Sequence, residues 1–281
     1  MPSSPQARRK ALKQVAQNVR FERTALRGLR RKLPAFRRTL LGAVKEADMS
    51  PISRVANAFE PFVVILRAMS AKAFAAGHRD TVKNATEWAK ANKQTLGFSM
   101  DFAVTKADIT FFNNLAGQIF AGTQATVSAT IASAVEAAWS SGVSIKLAQE
   151  SILNKLTAIG LGSVKPHVLE TWAVTFAQAS YSAGKFAAGQ SPAIQNILWG
   201  YEYVTVGDDR VRPEHEGFDG TVLPKGDSFW QTNTPPNGWR CRCSIIDVFQ
   251  KETAVAPHAV DGVIPVTAPG FTFNPADLLA I

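Results

Sequence analysis

Asp208-Asp209-Arg210-Val211-Arg212-Pro213-Glu214-His215 opens a thirty-six-residue stretch that runs through Phe218-Asp219-Gly220-Thr221-Val222 and Phe229-Trp230. It closes on Pro235-Pro236-Asn237-Gly238-Trp239-Arg240-Cys241-Arg242-Cys243. Both cysteines, two of the six tryptophans and a histidine crowded by acids fall inside it. Tyr201 to Val206 is β-branched and aromatic and runs into Gly207, so it reads as a strand entering a turn. Pro213 suits the first position of a helical turn carrying Glu214, His215 and Glu216, ended by Gly217. Asp219-Gly220 is a hairpin signal, and Thr221 to Leu223 a short strand. Asp227-Ser228 can cap a further turn through Phe229 and Trp230. Pro235 to Gly238 cannot be regular structure and delivers the chain into a last strand, expected over Trp239–Val248.

On that strand the period of two puts Trp239, Cys241, Cys243 and Ile245 on one face, with Arg240 and Arg242 on the other. Cysteines two apart on one extended strand have nearly parallel Cβ vectors at the upper limit of disulfide spacing, so no disulfide is expected. Two inward thiols beside a histidine leave two readings open. They are buried reduced thiols packed on Trp230 and Trp239, with His215 hydrogen-bonded to Asp208, Asp209 or Asp219. Or they are ligands of a structural zinc ion completed by His215 and one carboxylate, Asp209.

Thr205, Asp209-Arg210-Val211-Arg212-Pro213, His215, Gly220, Phe229-Trp230, Pro235-Pro236-Asn237-Gly238-Trp239 and Cys241-Arg242-Cys243, in that order, resemble the phage head-morphogenesis, Mu F-like family of minor head proteins. The likeness covers roughly residues 142–249. Pro269-Gly270-Phe271-Thr272-Phe273-Asn274-Pro275 is similar to the family's closing segment, with Ala276 where glycine is more usual. The resemblance implies a virion protein present in few copies inside the head near the portal, made in the host cytoplasm and acting in head assembly and in DNA packaging or ejection. Portal, major capsid or scaffold protein and packaged double-stranded DNA are the partners it implies.

At 281 residues and 46% hydrophobic, the chain can build one large or two modest cores. Two cysteines make no disulfide framework. The N-terminus is charged where an export signal needs an apolar core, so no such signal is expected. The net charge of +9 is concentrated: residues 1–45 hold thirteen basic residues against Glu22 alone, a net of +12, which leaves the rest at −3. Leu12, Val15, Ala16, Val19, Leu26, Leu29 and Leu33 recur at helical spacing until Pro34, which is expected to end that helix before a second, short one through Phe36, Leu40, Leu41 and Val44. Arg8, Arg9, Lys10, Lys13, Arg20, Arg23, Arg27, Arg30, Arg31 and Lys32 then form a cationic surface suited to DNA phosphates or to an acidic portal or scaffold surface. An anionic membrane is a third suitor.

Ser50-Pro51 opens the next helical region, and Phe59–Met69 reads as core, too short and too charged to span a bilayer. His78 and His167 read as structural. The segment Ile109–Val135 is uncharged and rich in small residues, which suits a tightly packed helix or self-association between copies; its Asn, Gln and Thr content opposes stable membrane anchoring. Ser144 can cap a helix through Ile145, Ala148, Ile152, Leu153 and Leu156, and Pro166 can open another through Leu169, Trp172, Phe176, Ala179 and Phe186. The expected fold class is therefore α+β and mostly helical: an N-terminal helical body with a small C-terminal module of short antiparallel strands and turns. Its segments are 1–48, a basic amphipathic arm; 49–141, helical; 142–249, the head-morphogenesis domain; and 250–281, an extended tail. No nucleophile elbow or Walker-type loop occurs, and a non-enzymatic protein is expected. The rival is a metal-dependent hydrolase, nuclease or cell-wall-degrading, centred on His215 with Asp208, Asp209 and Asp219.

Overall fold

A computed structural model describes residues 4–45, 51–96, 144–158, 167–250 and 253–258, with isolated positions between 110 and 133 and at 275. The fold is mostly helical α+β, as the sequence predicts. In order come α1 (Pro5–Lys45), α2 (Pro51–Ala91), α3 (Ile145–Ala158), α4 (His167–Gly189), the short α5 (Pro192–Gln195), β1 (Gly200–Val204), α6 (Pro213–Glu216), β2 (Val222–Pro224), α7 (Phe229–Asn233) and β3 (Ser244–Val248). Most of Ile109–Val135, and nearly all of the tail after residue 258, lie outside the described residues. Among those described, no helix is long and apolar enough to cross a membrane.

Two compact units divide the chain: Met1–Glu22 with Met69–Phe112 and Val174–Ile281, and Arg23–Ala68 with Asn113–Ala173. The first helix supplies buried side chains to both.

Pro34 does not end α1, which runs on to Lys45 with that proline inside it. Proline removes one backbone donor and clashes with the preceding turn, at about 3 kcal/mol in a helix interior. The buried stripe explains why the helix continues. Leu29, Leu33, Phe36 and Leu40 are all buried at i, i+4, i+7 and i+11, crossing Pro34 without a change of phase. The expected apolar seam is buried at Leu29 and Leu33 but not in its N-terminal part. Leu12 is 47% exposed, whereas Ala7, Ala11, Gln14, Asn18 and Ala25 face inward. Small and amide side chains fill that line because the helix lies close to its neighbours, and Asn18 Nδ2 donates to Gln178 Oε1 at 2.9 Å.

In the first unit, β1 is the central strand of an antiparallel sheet of order β2-β1-β3. Tyr201 lies opposite Leu223 on one side and Asp247 on the other, and Tyr203 lies opposite Ile245. One sheet face carries Tyr201, Tyr203 and Ile245 into a core with Phe186, Leu198, Phe218, Trp230, Cys241 and Cys243. Val204 and Ile246 on the other face are covered by Ala7 and Ala11 of α1. This two-sided cover is why every residue of β3 is buried. Ring contacts knit the first face, among them Tyr201 on Trp230 at 5.6 Å and Phe218 on Phe229 at 5.2 Å. Val255 extends the sheet as a single bridge to Val222.

The expected α6 turn and the helix opened by Ser144 are both present, the latter with Leu147 N–H on Ser144 Oγ at 3.3 Å. Asp227 rather than Ser228 supplies the side-chain cap of α7, accepting from Phe229 N–H at 2.9 Å. In the second unit, Phe36, Phe59, Phe62 and Trp172 form an aromatic box with centroids 5.0–6.2 Å apart. That confirms Phe59–Met69 as core, although Val64 in its middle is 54% exposed.

Candidate metal centre

His215 is the third residue of α6, whose Pro213 sits at the first helical position and whose last turn closes with Gly217 N–H on the Pro213 carbonyl at 3.1 Å. One turn is enough to send His215 inward while Glu216 points to solvent. The expected strand from Trp239 begins only at Ser244. Trp239 and Arg240 lie in a turn closed by Cys241 N–H on the Gly238 carbonyl at 3.2 Å, and Arg240 takes the left-handed conformation, φ +62°. That conformation is incompatible with a strand and costs a branched or bulky side chain more than it costs arginine's unbranched stem. The helix α4 pins the backbone on both sides of Cys241. Thr175 Oγ1 accepts from Arg240 N–H at 3.1 Å, and Gln178 Nε2 donates to the Cys243 carbonyl at 2.7 Å.

The result brings both thiols to one nitrogen. Cys241 Sγ and Cys243 Sγ each lie 3.7 Å from His215 Nδ1, and all three residues are at most 3% exposed. Both cysteines are free thiols. Burial opposes ionisation of Cys241, but hydrogen bonds from Cys243 and His215, and from the backbone N–H of Asn237, outweigh it and hold the thiol well below its usual range. Cys243 is pushed well above that range by its hydrogen bond with Cys241 and by burial, while the Tyr203 hydroxyl donates to it. Tyr203 is itself buried, which raises it far above the ordinary phenol value and keeps it a donor; Asn237 Nδ2 donates to its oxygen at 3.1 Å.

Asp209, the expected fourth ligand, is exposed and lies outside the His215, Cys241, Cys243 group. Among the described residues no carboxylate takes its place, and the other two aspartates that the sequence offers to His215, Asp208 and Asp219, are engaged elsewhere. Asp208 grips Arg242 through two hydrogen bonds of 2.7 and 2.8 Å, which pull its carboxyl down to about 2. Asp219 accepts from Thr205 N–H at 2.8 Å, from Thr205 Oγ1 at 3.0 Å and from Arg8 at 2.8 Å. Arg8 therefore belongs partly to this ion pair rather than wholly to the cationic surface. Arg9, Lys10, Lys13, Arg20, Arg23, Arg27, Arg30, Arg31 and Lys32 are all at least partly exposed. Asp219→Ala should cost about 1–3 kcal/mol in denaturant unfolding, since it strands the buried Thr205 N–H, whereas Arg8→Met should cost at most about 1. Equal losses would mean the ion pair, not the backbone bond, is what matters.

Thr175 and Gln178 are supporting residues that sequence reading does not single out, and it gives Tyr203 and Asn237, which lie in a strand and a motif it does quote, no role at the thiols. No local pattern marks Thr175 and Gln178, because each acts on a backbone group 65 residues away. A cavity of about 20 Å³ adjoins the cluster, lined by Val206, Val211 and the arginines at 210, 212, 240 and 242. Arg212 closes one side by donating to the Trp239 carbonyl at 2.7 Å.

The same cluster falls inside the region of likeness to known proteins. Residues 129–246 match the sequence model of the family described as Phage Mu protein F like protein. The chain carries a Mu F-like region. Part of the chain is 41% identical over 87 residues to the putative capsid assembly protein F of Escherichia phage Mu, covering 31% of this chain and 19% of that protein. It is 34% identical over 87 residues to the Mu-like prophage FluMu F protein of Haemophilus influenzae, covering 31% of this chain and 20% of that protein. The Mu F-like match therefore spans about a fifth of the length of these curated relatives. No solved structure matches.

Proposed function

We propose that this chain acts in phage head assembly as a non-enzymatic virion component, with the solvent face of α1 providing the contact surface. The likeness to a protein named for capsid assembly carries this reading. A place inside the head near the portal, in few copies, with a part in packaging or ejection of DNA, extends it. At 100° per residue, Arg9, Lys13, Arg20, Arg23, Arg27, Arg30 and Arg31 fall within a sector roughly 100° wide on the face of α1 away from its buried stripe. Such a row on one continuous helix suits the phosphates of double-stranded DNA. An acidic portal, scaffold or major capsid surface is the alternative contact.

The hydrolase reading is the weaker one. A cavity of about 20 Å³ admits about one water, far below what a nucleotide or sugar needs.

Removing residues 2–45 would test α1 badly, because Ala7, Ala11, Leu29, Leu33, Phe36 and Leu40 are core. Surface substitution is cleaner. Replacing Arg23, Arg27, Arg30 and Arg31 by Gln should weaken binding to duplex DNA. It should also flatten the plot of log affinity against log salt by about 0.9 for each phosphate no longer neutralised. An unchanged slope would sink the DNA contact and favour the acidic protein surface. Loss of incorporation into heads with the DNA slope unchanged would place the contact on that surface directly.

A further inference from the structure

Head assembly leaves the buried thiol and imidazole group unexplained. Hydrogen bonding alone serves it poorly, since Nδ1 is equidistant from two sulfurs at 3.7 Å and, whether as donor or as acceptor, can make a well-directed bond to only one of them at a time. A central ion accounts for both contacts. With zinc about 2.3 Å from sulfur and about 2.0 Å from nitrogen, tetrahedral angles place each sulfur about 3.5–3.6 Å from the nitrogen, close to what is observed. The three donor atoms all lie within 4.8 Å of one another, which fits one coordination sphere.

Charge favours the same occupant. Two thiolates and a neutral imidazole around a divalent cation sum to zero, so the complex can be buried without an uncompensated charge. The sulfurs are also supported from behind, Cys243 by the Tyr203 hydroxyl and Cys241 by the Asn237 N–H, as outer-shell donors support metal thiolates. Thiolate and imidazole donors select a soft or borderline ion in tetrahedral geometry over calcium or magnesium.

We propose that His215 Nδ1 and the Cys241 and Cys243 thiolates bind one zinc ion, with a water molecule in the adjoining 20 Å³ cavity as the fourth ligand. Binding releases the two thiol protons to solvent. The ion acts as a staple: it joins the single turn of α6 to the turn at Gly238–Cys241, neither of which belongs to the sheet. With room for one water and no more, the open position is shut to a substrate.

The full-length chain, untagged and purified without chelator, should contain one zinc per polypeptide by mass spectrometry. Reduced protein stripped of metal and titrated with cobalt(II) should develop the intense visible bands of a tetrahedral site, together with thiolate-to-cobalt charge-transfer absorption, saturating at one equivalent. Cys241→Ser should remove about half of the charge-transfer intensity, and Cys241→Ser with Cys243→Ser should remove all of it. The wild-type cobalt titration decides the matter if those variants do not fold. Absence of zinc together with absence of a tetrahedral cobalt spectrum would overturn the proposal. Retention of one zinc by the double variant would overturn it equally, since the metal would then be held elsewhere.

Discussion

Asp247→Ala is expected to lower the unfolding free energy by about 3–5 kcal/mol in urea or guanidinium titration followed by circular dichroism. Asp247 on β3 accepts from Lys185 Nζ at 2.9 Å, and both side chains are fully buried. Thr81 Oγ1 at 3.1 Å and Asn84 Nδ2 at 2.8 Å, both on α2, complete its shell. One carboxylate thus ties the sheet to two helices. Removing it leaves an ammonium group with no water and no counter-charge, which is why the loss exceeds that of an exposed pair several-fold. Lys185→Met with Asp247→Leu should recover most of the deficit, because taking away both charges removes the desolvation penalty along with the attraction. A loss below about 1 kcal/mol for Asp247→Ala would mean that solvent reaches Lys185, and the buried tie would be refuted.

This tie shows where sequence reading stops. Lys185 and Asp247 are 62 residues apart, and nothing local pairs them. Local signals did carry far elsewhere. Pro213 and Gly217 bracket the turn that aims His215, and Ser144 marks a helix start, because each rule there involves neighbours within four residues. The alternation of Cys241 and Cys243 correctly turned both thiols inward, yet for the wrong reason. The segment is a turn with a left-handed Arg240, not a strand, and only the anchors from Thr175 and Gln178 on α4 make it so. Asp209 lies exposed and outside the group of His215, Cys241 and Cys243, because proximity in sequence to His215 does not fix where a side chain in a turn points. Pro34 failed as a stop because propensity is a local cost, and the stripe from Leu29 to Leu40 outweighs it.

Gly77→Ala and Gly184→Ala should each destabilise by about 2–3 kcal/mol or more, against the usual sign for a helix interior, where alanine gains about 0.5–1 kcal/mol over glycine. A Cβ on Gly77 of α2 would sit 2.0 Å from the Tyr181 carbonyl oxygen, and one on Gly184 of α4 would sit 2.0 Å from that of Phe74. The clash is reciprocal and with backbone, so no rotamer change relieves it and the helices must part. Gly226, with nothing within 4 Å of its Cβ position, is the control and should stay within about 0.5 kcal/mol. Parting the helices also moves Lys185, the next residue after Gly184, away from Asp247. Gly184→Ala and Asp247→Ala should therefore be strongly non-additive, the double variant losing clearly less than the sum. If Gly77→Ala instead raises stability, α2 and α4 do not meet backbone to backbone, and the shared frame that holds Asp247 and, through Thr175 and Gln178, the cysteine turn would have to be redrawn.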